Sequence, residues 1–262
     1  MKKLAYISLL VSLYTTACSK SDDPQPSKPK KSFALLDAVT LNGAENGPFT
    51  TRYFFNSDST LNNLQLNGAG PIPYVYGLYF KYNPVNQLNY SLEYNTSPVD
   101  TTRNLDFSYD NKGLLTKVVF GNGKSGFLYE YNSKGQVTKV HYLLQDVETG
   151  VATLQYDNGG NLVKKEQIDA GGGKLKITYR YDDKFNAWAS LGTGYLLANQ
   201  LFYNLGPNNL IEVLVTDDLG ILISKDVHSY TYSSNNYPLA DKVLHVNNKI
   251  DTSYIDYSFS YK

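Results

Sequence analysis

The stretch FSYDNKGLLTK at residues 107–117 returns twice further along the chain, as YEYNSKGQVTK at 129–139 and as LQYDNGGNLVK at 154–164. In each copy a Tyr is followed by Asp or Asn, with Gly four residues after the Tyr, an aliphatic residue six after and Lys eight after. Weaker copies are anchored at positions 55, 82, 181, 203 and 232, so successive anchors lie 22 to 29 residues apart. This period indicates an array of one supersecondary unit.

Each unit has the composition of a β-hairpin. Side chains alternate along a strand, so the rings of Phe107 and Tyr109 share one face. Asp or Asn then favours a turn, Gly supplies a positive φ, and the aliphatic residue begins the returning strand with its side chain inward. Glycine-rich pieces at 121–123 and 171–173 join the hairpins. Residues 175–181 also alternate, with Lys176, Thr178 and Arg180 outward.

The predicted fold class is therefore all-β. No window supports a helix of about twelve residues. We expect an antiparallel β-meander of repeated hairpins, about fifteen to eighteen strands in all, that forms a curved open sheet or is barrel-like. Most strands are predicted to contain roughly six to eight residues.

The first 31 residues differ in composition from the rest. Lys2 and Lys3 precede an apolar stretch at 4–13, which is too short to span a bilayer and is typical of a signal peptide. Residues 1–17 are predicted to be that signal peptide, 18–31 a disordered Pro/Ser/Lys tether, and 32–262 a single domain of repeats. Ala17 before the only cysteine, Cys18, resembles the lipobox of bacterial lipoproteins, with Thr15 where Leu is usual.

The lipobox resemblance implies that Cys18 is the lipid attachment site and the new amino terminus. An ordinary secretory peptide with an incidental cysteine is the alternative. The acidic pair at 22–23 resembles the signal that sends Bacteroidota lipoproteins to the outer face of the outer membrane. The predicted location is the outer membrane, lipid-anchored and exposed at the cell surface.

Two family resemblances concern the repeats. The Tyr-Asp-x-x-Gly-x-Leu unit resembles the YD repeat of Rhs-type cell-surface and toxin-shell proteins. From about residue 50 to 262 the chain more closely resembles a domain of unknown function with a porin-like fold, common in Bacteroidota lipoproteins. YDDKFNAW at 181–188 carries this resemblance, with Ala187 where that family has Pro. The family brings no known active site.

Charge and cysteine content exclude several function classes. Lys plus Arg and Asp plus Glu are both 24, a balance that argues against nucleic acid as a partner. One cysteine permits no intrachain disulfide. His141, His228 and His245 lack the spacing of a metal site, so we predict that they are strand-surface residues and that no metal or other cofactor binds.

Motifs that could support catalysis have better explanations as turns. The sequence Gly-Lys-Ser at 123–125 imitates the end of a phosphate-binding loop, but Val118 stands where the first glycine is required. Asp146 with Glu148, and Asp217 with Asp218, could be the two carboxylates of a sugar hydrolase, yet both pairs precede or flank glycines typical of hairpin turns. No catalytic residue is predicted, which favours a protein that is not an enzyme.

Three functions remain open. The first is a surface-tethered binding or scaffold module that has the membrane, through its anchor, and a glycan or another envelope protein as partners. The second is a carbohydrate-active enzyme or glycan-binding protein, for which Trp188 is the candidate ligand contact. The third is an integral outer-membrane β-barrel, although its strands should contain about nine to eleven residues. Ser59 and Thr101 lie in motifs that resemble Bacteroidota O-glycosylation sites.

Overall fold

A closed wall of sixteen antiparallel strands forms the described part of the chain, each strand hydrogen-bonded to the next in sequence. The computed structural model describes residues 34–42, 48–68, 75–96, 99–121, 123–247 and 251–262. The last strand pairs with the first, from Leu36 opposite Tyr261 to Asn42 opposite Asp256. The predicted all-β meander is confirmed, and of its two forms the structure has the closed one.

The strands of the first half are β1 (Leu36–Asn42), β2 (Phe49–Phe55), β3 (Leu61–Gly68), β4 (Val75–Tyr82), β5 (Leu88–Thr96), β6 (Val99–Tyr109), β7 (Leu115–Phe120) and β8 (Ser125–Tyr131). Those of the second half are β9 (Val137–Leu144), β10 (Val147–Tyr156), β11 (Leu162–Asp169), β12 (Lys174–Phe185), β13 (Asn208–Asp217), β14 (Leu222–Tyr232), β15 (Pro238–Asn247) and β16 (Asp251–Tyr261). Between β12 and β13 lie a 3₁₀ turn (Ala187–Leu191), helix α1 (Thr193–Ala198) and a second 3₁₀ turn (Phe202–Asn204).

Six of the predicted anchors form hairpins with one common turn. The residue after each anchor donates from its backbone N–H to the carbonyl four residues on, and accepts from the N–H three residues on. The residue four positions after the anchor has a positive φ in all six hairpins. These residues are Ser59, Asn86, Gly113, Gly135, Gly160 and Asn236. Asp110 shows how the acidic residue acts, because its Oδ1 accepts 2.9 Å bonds from the N–H groups of Lys112 and Leu114.

Anchors 181 and 203 do not form hairpins, which corrects the prediction. The position four residues after the anchor explains both failures. It is Phe185 in one case, where a bulky side chain disfavours a positive φ, and Pro207 in the other, whose ring fixes a negative φ. β12 therefore continues straight to Phe185, and Tyr203 lies in a 3₁₀ turn.

A β-bulge follows each of the six turns and fixes which side chains point inward. Tyr109 pairs with Leu115, but the preceding Ser108 pairs with Lys117, so one residue of β7 is unpaired. The side chains six and nine residues after the anchor then both face the interior. All six residues at the second of these positions are buried: Leu64, Ser91, Val118, Val140, Lys165 and Asp241.

The repeat tyrosines are in the core, and their hydroxyl groups join neighbouring hairpins. Three of them donate to the carbonyl of the first residue in the returning strand of the preceding hairpin: Tyr82 to Leu61, Tyr109 to Leu88 and Tyr131 to Leu115, at 2.6 to 2.8 Å. Tyr261 of β16 makes the same contact with Pro238 at 2.9 Å. Burial raises the pKa of Tyr82 and Tyr109 to about 12, which keeps these donors protonated at ordinary pH.

Residues 186–207, here called the plug, turn into the barrel. The amide of Asn186 ties the two ends of the plug together by donating to the carbonyls of Asn204 at 2.7 Å and Gly206 at 2.8 Å. A side chain at Gly206 would stand 2.6 Å from Asn161 Oδ1, so this close approach to the wall requires glycine. Further in, Tyr195 packs edge-on against Phe80, and Tyr129 donates to the carbonyl of Leu197.

The strands contain six to twelve residues, and most of β10–β16 are longer than predicted. The outer faces of the strands carry charged side chains. Lys139 on β9 lies 3.4 Å from Glu130 on β8, and Lys225 on β14 bonds Glu212 on β13 at 2.8 Å. The apolar core is therefore inside the barrel and these two charged pairs are outside, as the alternation in residues 175–181 predicts.

The predicted signal peptide and the whole of the predicted tether, including Cys18, lie outside the described residues. The domain predicted to begin at residue 32 is described from Ala34 onward. Within the described ranges, no helix combines the length and the apolar composition needed to cross a membrane.

Candidate functional site

A cavity of about 520 Å³ lies inside the barrel between the plug and strands β11–β16. The plug packs towards β4 and β8 through Tyr195 and Leu197, and this leaves space beside the longer strands. The cavity walls are largely aliphatic and aromatic, from residues such as Ile177, Val213, Val243 and Phe259. Apart from tyrosines, five ionisable side chains interrupt them: Lys165, Asp226, His228, Asp241 and His245.

Lys165 is the one lysine or arginine among the described residues of the cavity wall, and it is 8 % exposed. Its Nζ lies 5.5 Å from the ring centre of Phe202 and 5.7 Å from that of Tyr142. No carboxylate forms an ion pair with it in the described part of the chain. Because burial removes water from the ammonium group, the pKa of Lys165 is lowered to about 8.

Two His–Asp pairs form a ladder on the inner faces of β14 and β15. Nδ1 of His228 lies 2.7 Å from Oδ2 of Asp241, and Nδ1 of His245 lies 2.5 Å from Oδ1 of Asp226. The side chains of the first pair are 15 % and 4 % exposed, and those of the second are 37 % and 34 % exposed. The cavity therefore opens towards His245, at the barrel end opposite the six common turns.

Asp241 has an unused hydrogen-bond acceptor. Its Oδ2 is bonded to His228, but its buried Oδ1 has no hydrogen-bond partner among the described residues. The neighbouring Tyr230 stacks on His228 with ring centres 5.9 Å apart and donates its hydroxyl to the carbonyl of Leu210. A buried acceptor without a donor is costly, so Asp241 favours a ligand that brings one.

Aromatic rings form the inner end of the cavity. Tyr179 and Tyr203 are stacked with ring centres 6.1 Å apart, and Trp188 contacts Phe259 edge-on at 6.2 Å. Burial raises the pKa of Tyr179, and that of Tyr203 as well, so both phenols are neutral at ordinary pH. Such rings can stack on a flat or ring-shaped ligand without bringing charge.

This arrangement is suited to binding. The cavity has the size of small-molecule sites, with mainly apolar walls and a few convergent polar groups. The cavity lining has no serine, threonine or cysteine that a His–Asp pair could activate, within the part of the chain described. The same part holds no cluster of three or more residues able to bind a metal ion.

Some residues singled out from the sequence lie in the cavity and others do not. Trp188 is in the plug and lines the cavity, as a ligand contact must. His228 and His245 face inward, so the prediction that they are strand-surface residues is wrong for them, whereas His141 does lie on the outer face between Glu130 and Glu148.

The motifs interpreted as turns are turns. Asp146 has a positive φ in the tight turn after β9, and Asp217 caps the turn after β13 by accepting from Leu219 and Ile221. Residues 123–124 form the β7–β8 turn, as predicted for the loop-like Gly-Lys-Ser. Ser59 is exposed, while the side chain of Thr101 lies outside the described residues; glycosylation of either stays a prediction.

Lys165 and Asp241 are not among the residues predicted from the sequence, although the repeat contains a signal for both. Nine residues after the anchor, the hairpins at Tyr109 and Tyr131 have valine, and those at Tyr156 and Tyr232 have these two charged residues. A charge at a position that is uncharged in the other hairpins marks the two hairpins that line the cavity.

The chain is similar in structure to two Bacteroides proteins. One is a porin-like protein from Bacteroides uniformis ATCC 8492, with a TM-score of 0.58 and 12 % sequence identity over 88 % of this chain and 96 % of that one. The other, a porin-like protein from Bacteroides vulgatus ATCC 8482, has a TM-score of 0.43 and 13 % identity over 88 % and 99 %. The first likeness shows a shared fold. No protein-family model and no curated protein matches the sequence.

Proposed function

We propose that this protein is a lipid-anchored protein of the bacterial outer membrane that binds a small ligand inside its barrel. The observation that carries the proposal is the cavity, because it holds a buried cation and a buried acceptor, between aromatic walls, that have no polar partner among the described residues. Groups of this kind cost stability in the free protein. A binding role accounts for them, since a ligand would supply their partners.

The sequence supports the anchor and the location. Cys18 follows a signal-peptide pattern and precedes a polar stretch long enough to act as a tether. Triacylation would hold the protein on the membrane, because two or more chains give stable attachment. The first described residues lie at the turn end of the barrel, where Ala34 bonds to the Tyr237 hydroxyl. The cavity mouth is at the other end and would remain open to ligands.

An integral outer-membrane barrel is the second candidate. Closure of the sheet favours it, and so do strands of ten to twelve residues such as β13 and β12. The charged outer face opposes it, because each Lys or Arg facing lipid near the bilayer centre costs about 2–4 kcal/mol. Lys139, Lys176 and Lys225 all project from the outer wall.

Blocking the cavity tests the binding function. Val243 is buried and lines the cavity, whereas the next residue, Leu244, faces outward, so Val243→Phe and Leu244→Phe are a matched pair. We would screen monosaccharides, disaccharides and small carboxylates by thermal shift and by the fluorescence of Trp188, the single tryptophan. A compound that binds wild type and Leu244→Phe but not Val243→Phe supports the proposal. Equal binding by both variants contradicts it.

Membrane fractionation separates the two candidates. Cys18→Ala is expected to give a protein that carbonate removes from membranes, whereas wild type stays with them and incorporates radiolabelled palmitate. If Cys18→Ala resists carbonate extraction, the lipid-anchored reading is wrong and the barrel spans the membrane.

A further inference from the structure

We propose that the ligand of the cavity is a small molecule with one carboxylate and with hydroxyl or ammonium groups as hydrogen-bond donors, and that its carboxylate binds Lys165. This rests on the proposed function and names the class of ligand. The chemistry is common to sugar acids and amino acids, so the experiment below includes both.

Lys165 supplies the anion site. Lys165 lines the cavity, its Nζ lies against two aromatic rings, and it has no carboxylate partner in the described residues. Of the five equivalent positions in the other hairpins, four are aliphatic or small and the fifth is Asp241. A lysine at that position is costly to bury without an anion and becomes favourable when one binds.

The charges on the wall limit the anion to a single negative charge. Apart from Lys165, the ionisable groups that face the cavity are Asp226, Asp241, two histidines paired with them, and tyrosines that burial keeps neutral. A phosphate dianion would bring two negative charges to one cation and face two carboxylates. A carboxylate brings one, which matches Lys165.

Asp241 requires a donor on the same ligand. Its Oδ1 is buried and unpaired among the described residues, and a carboxylate oxygen can only accept. Lys165 on β11 and Asp241 on β15 are four strands apart in the wall. A ligand with a carboxylate at one end and a hydroxyl or ammonium group at the other can satisfy both, with its body against the rings of Phe202 and Tyr179.

Matched probes with and without a carboxylate test this proposal by titration of Trp188 fluorescence. The sugar arm compares galacturonate with galactose and glucuronate with glucose, and the amino-acid arm compares phenylalanine with phenylalaninol, which keeps the ammonium group and lacks the carboxylate. A charged hydrogen bond of this kind is worth about a factor of ten or more in affinity, so the carboxylate probe of the correct arm should bind roughly tenfold more tightly than its counterpart without a carboxylate.

Lys165→Met removes the charge and keeps the length, and Lys164→Met is the control, because Lys164 is on the outer face and bonded to Glu166 at 2.8 Å. We expect Lys165→Met to remove the preference for the carboxylate probe and to leave binding of the probe without a carboxylate within about twofold. Lys164→Met should keep the preference.

Two results would overturn the proposal. If probes without a carboxylate bind wild type as tightly as their carboxylate counterparts and Lys165→Met changes neither, the cavity binds ligands but not through a carboxylate at Lys165, and the proposed function stands. If no acid in either arm binds wild type, the assignment of the ligand as a hydroxylated or amino monocarboxylate is wrong, and the cavity-blocking screen decides the binding function separately.

Discussion

Replacing Lys165 by methionine is expected to stabilise the ligand-free protein at neutral pH. The pKa of Lys165 falls from 10.5 to about 8 on burial, and each pKa unit corresponds to 1.36 kcal/mol, so holding the charged form inside costs about 3 kcal/mol. The rings of Phe202 and Tyr142 offset roughly 1 kcal/mol of this through cation–π attraction. Methionine keeps most of the side-chain volume, and the expected gain is on the order of 2 kcal/mol.

The stability that Lys165→Met gains over wild type should shrink as the pH rises. Below pH 8, Lys165 is protonated in the folded and unfolded chains, and the full penalty applies. Between pH 8 and 10.5 the unfolded chain binds a proton that the folded chain does not, so wild type gains stability relative to the variant as pH rises. Above pH 10.5 Lys165 is neutral in both the folded and the unfolded chain, so the burial penalty on its charge no longer separates wild type from the variant. The tyrosines also titrate at high pH, but they are the same in both proteins and cancel.

Urea denaturation of wild type and variant at pH 7, 8, 9 and 10, followed by circular dichroism, measures this difference. Lys164→Met is the control, with an expected change below about 0.5 kcal/mol, since it removes only a partly exposed ion pair with Glu166. If Lys165→Met instead destabilises the protein at pH 7, or if the difference in unfolding free energy between the variant and wild type does not narrow as pH rises, Lys165 is not a desolvated cation that lacks a partner.

Three further predictions concern the wall. Tyr131→Phe should lower the free energy of unfolding, measured in urea, by about 1–2 kcal/mol, because it leaves a carbonyl of the preceding hairpin without its donor. Glu130→Ala, an exposed change on the same strand, should change it by less than about 0.5 kcal/mol, and equal losses of stability would show that the outer face is also covered. Gly135→Ala should lower the free energy of unfolding by about 1 kcal/mol because of its φ of 77° alone, since the nearest atom to an added Cβ is 3.8 Å away. Gly121→Ala should lower it much less, and similar losses in the two variants would disprove the common turn geometry. The Glu130 carboxylate accepts a hydrogen bond from Nε2 of His141 and raises the pKa of that histidine, so its NMR titration midpoint should lie above 6.5 and should fall in Glu130→Gln. The small stability that this pair contributes should be present below pH 6.5 and lost as pH rises through the midpoint. An unchanged midpoint in the variant would contradict the contact.

The wall was predictable because its rules are local. Tyr followed by Asx and a residue tolerant of positive φ specifies the turn, and the bulge then determines which residues face inward. The plug was not predicted, because Tyr181-Asp182 and Tyr203-Asn204 copy the start of the unit. The difference lies four residues later, at Phe185 and Pro207, where a positive φ is unfavourable or impossible.

The cavity could not be predicted from local patterns. It exists because the plug packs towards one side of the barrel, and which side depends on contacts such as Tyr129 with Leu197 that are 68 residues apart in sequence. The charged residues in it were visible in the sequence as exceptions at an aliphatic position, but their meaning depends on that distant packing.

The pairing of β1 with β16 has a consequence for folding kinetics. Every other strand pair can form between neighbours in sequence, but this pairing brings Leu36 to Tyr261 and encloses the whole domain in one loop. Contacts of such long range form slowly, so we expect closure to be the last and slowest step. Until it occurs, the unpaired edge of β1 and the unpaired edge of β16 are templates to which strands of other chains can bind. Loss of β1 by proteolysis would make that state permanent, and the product should associate edge to edge.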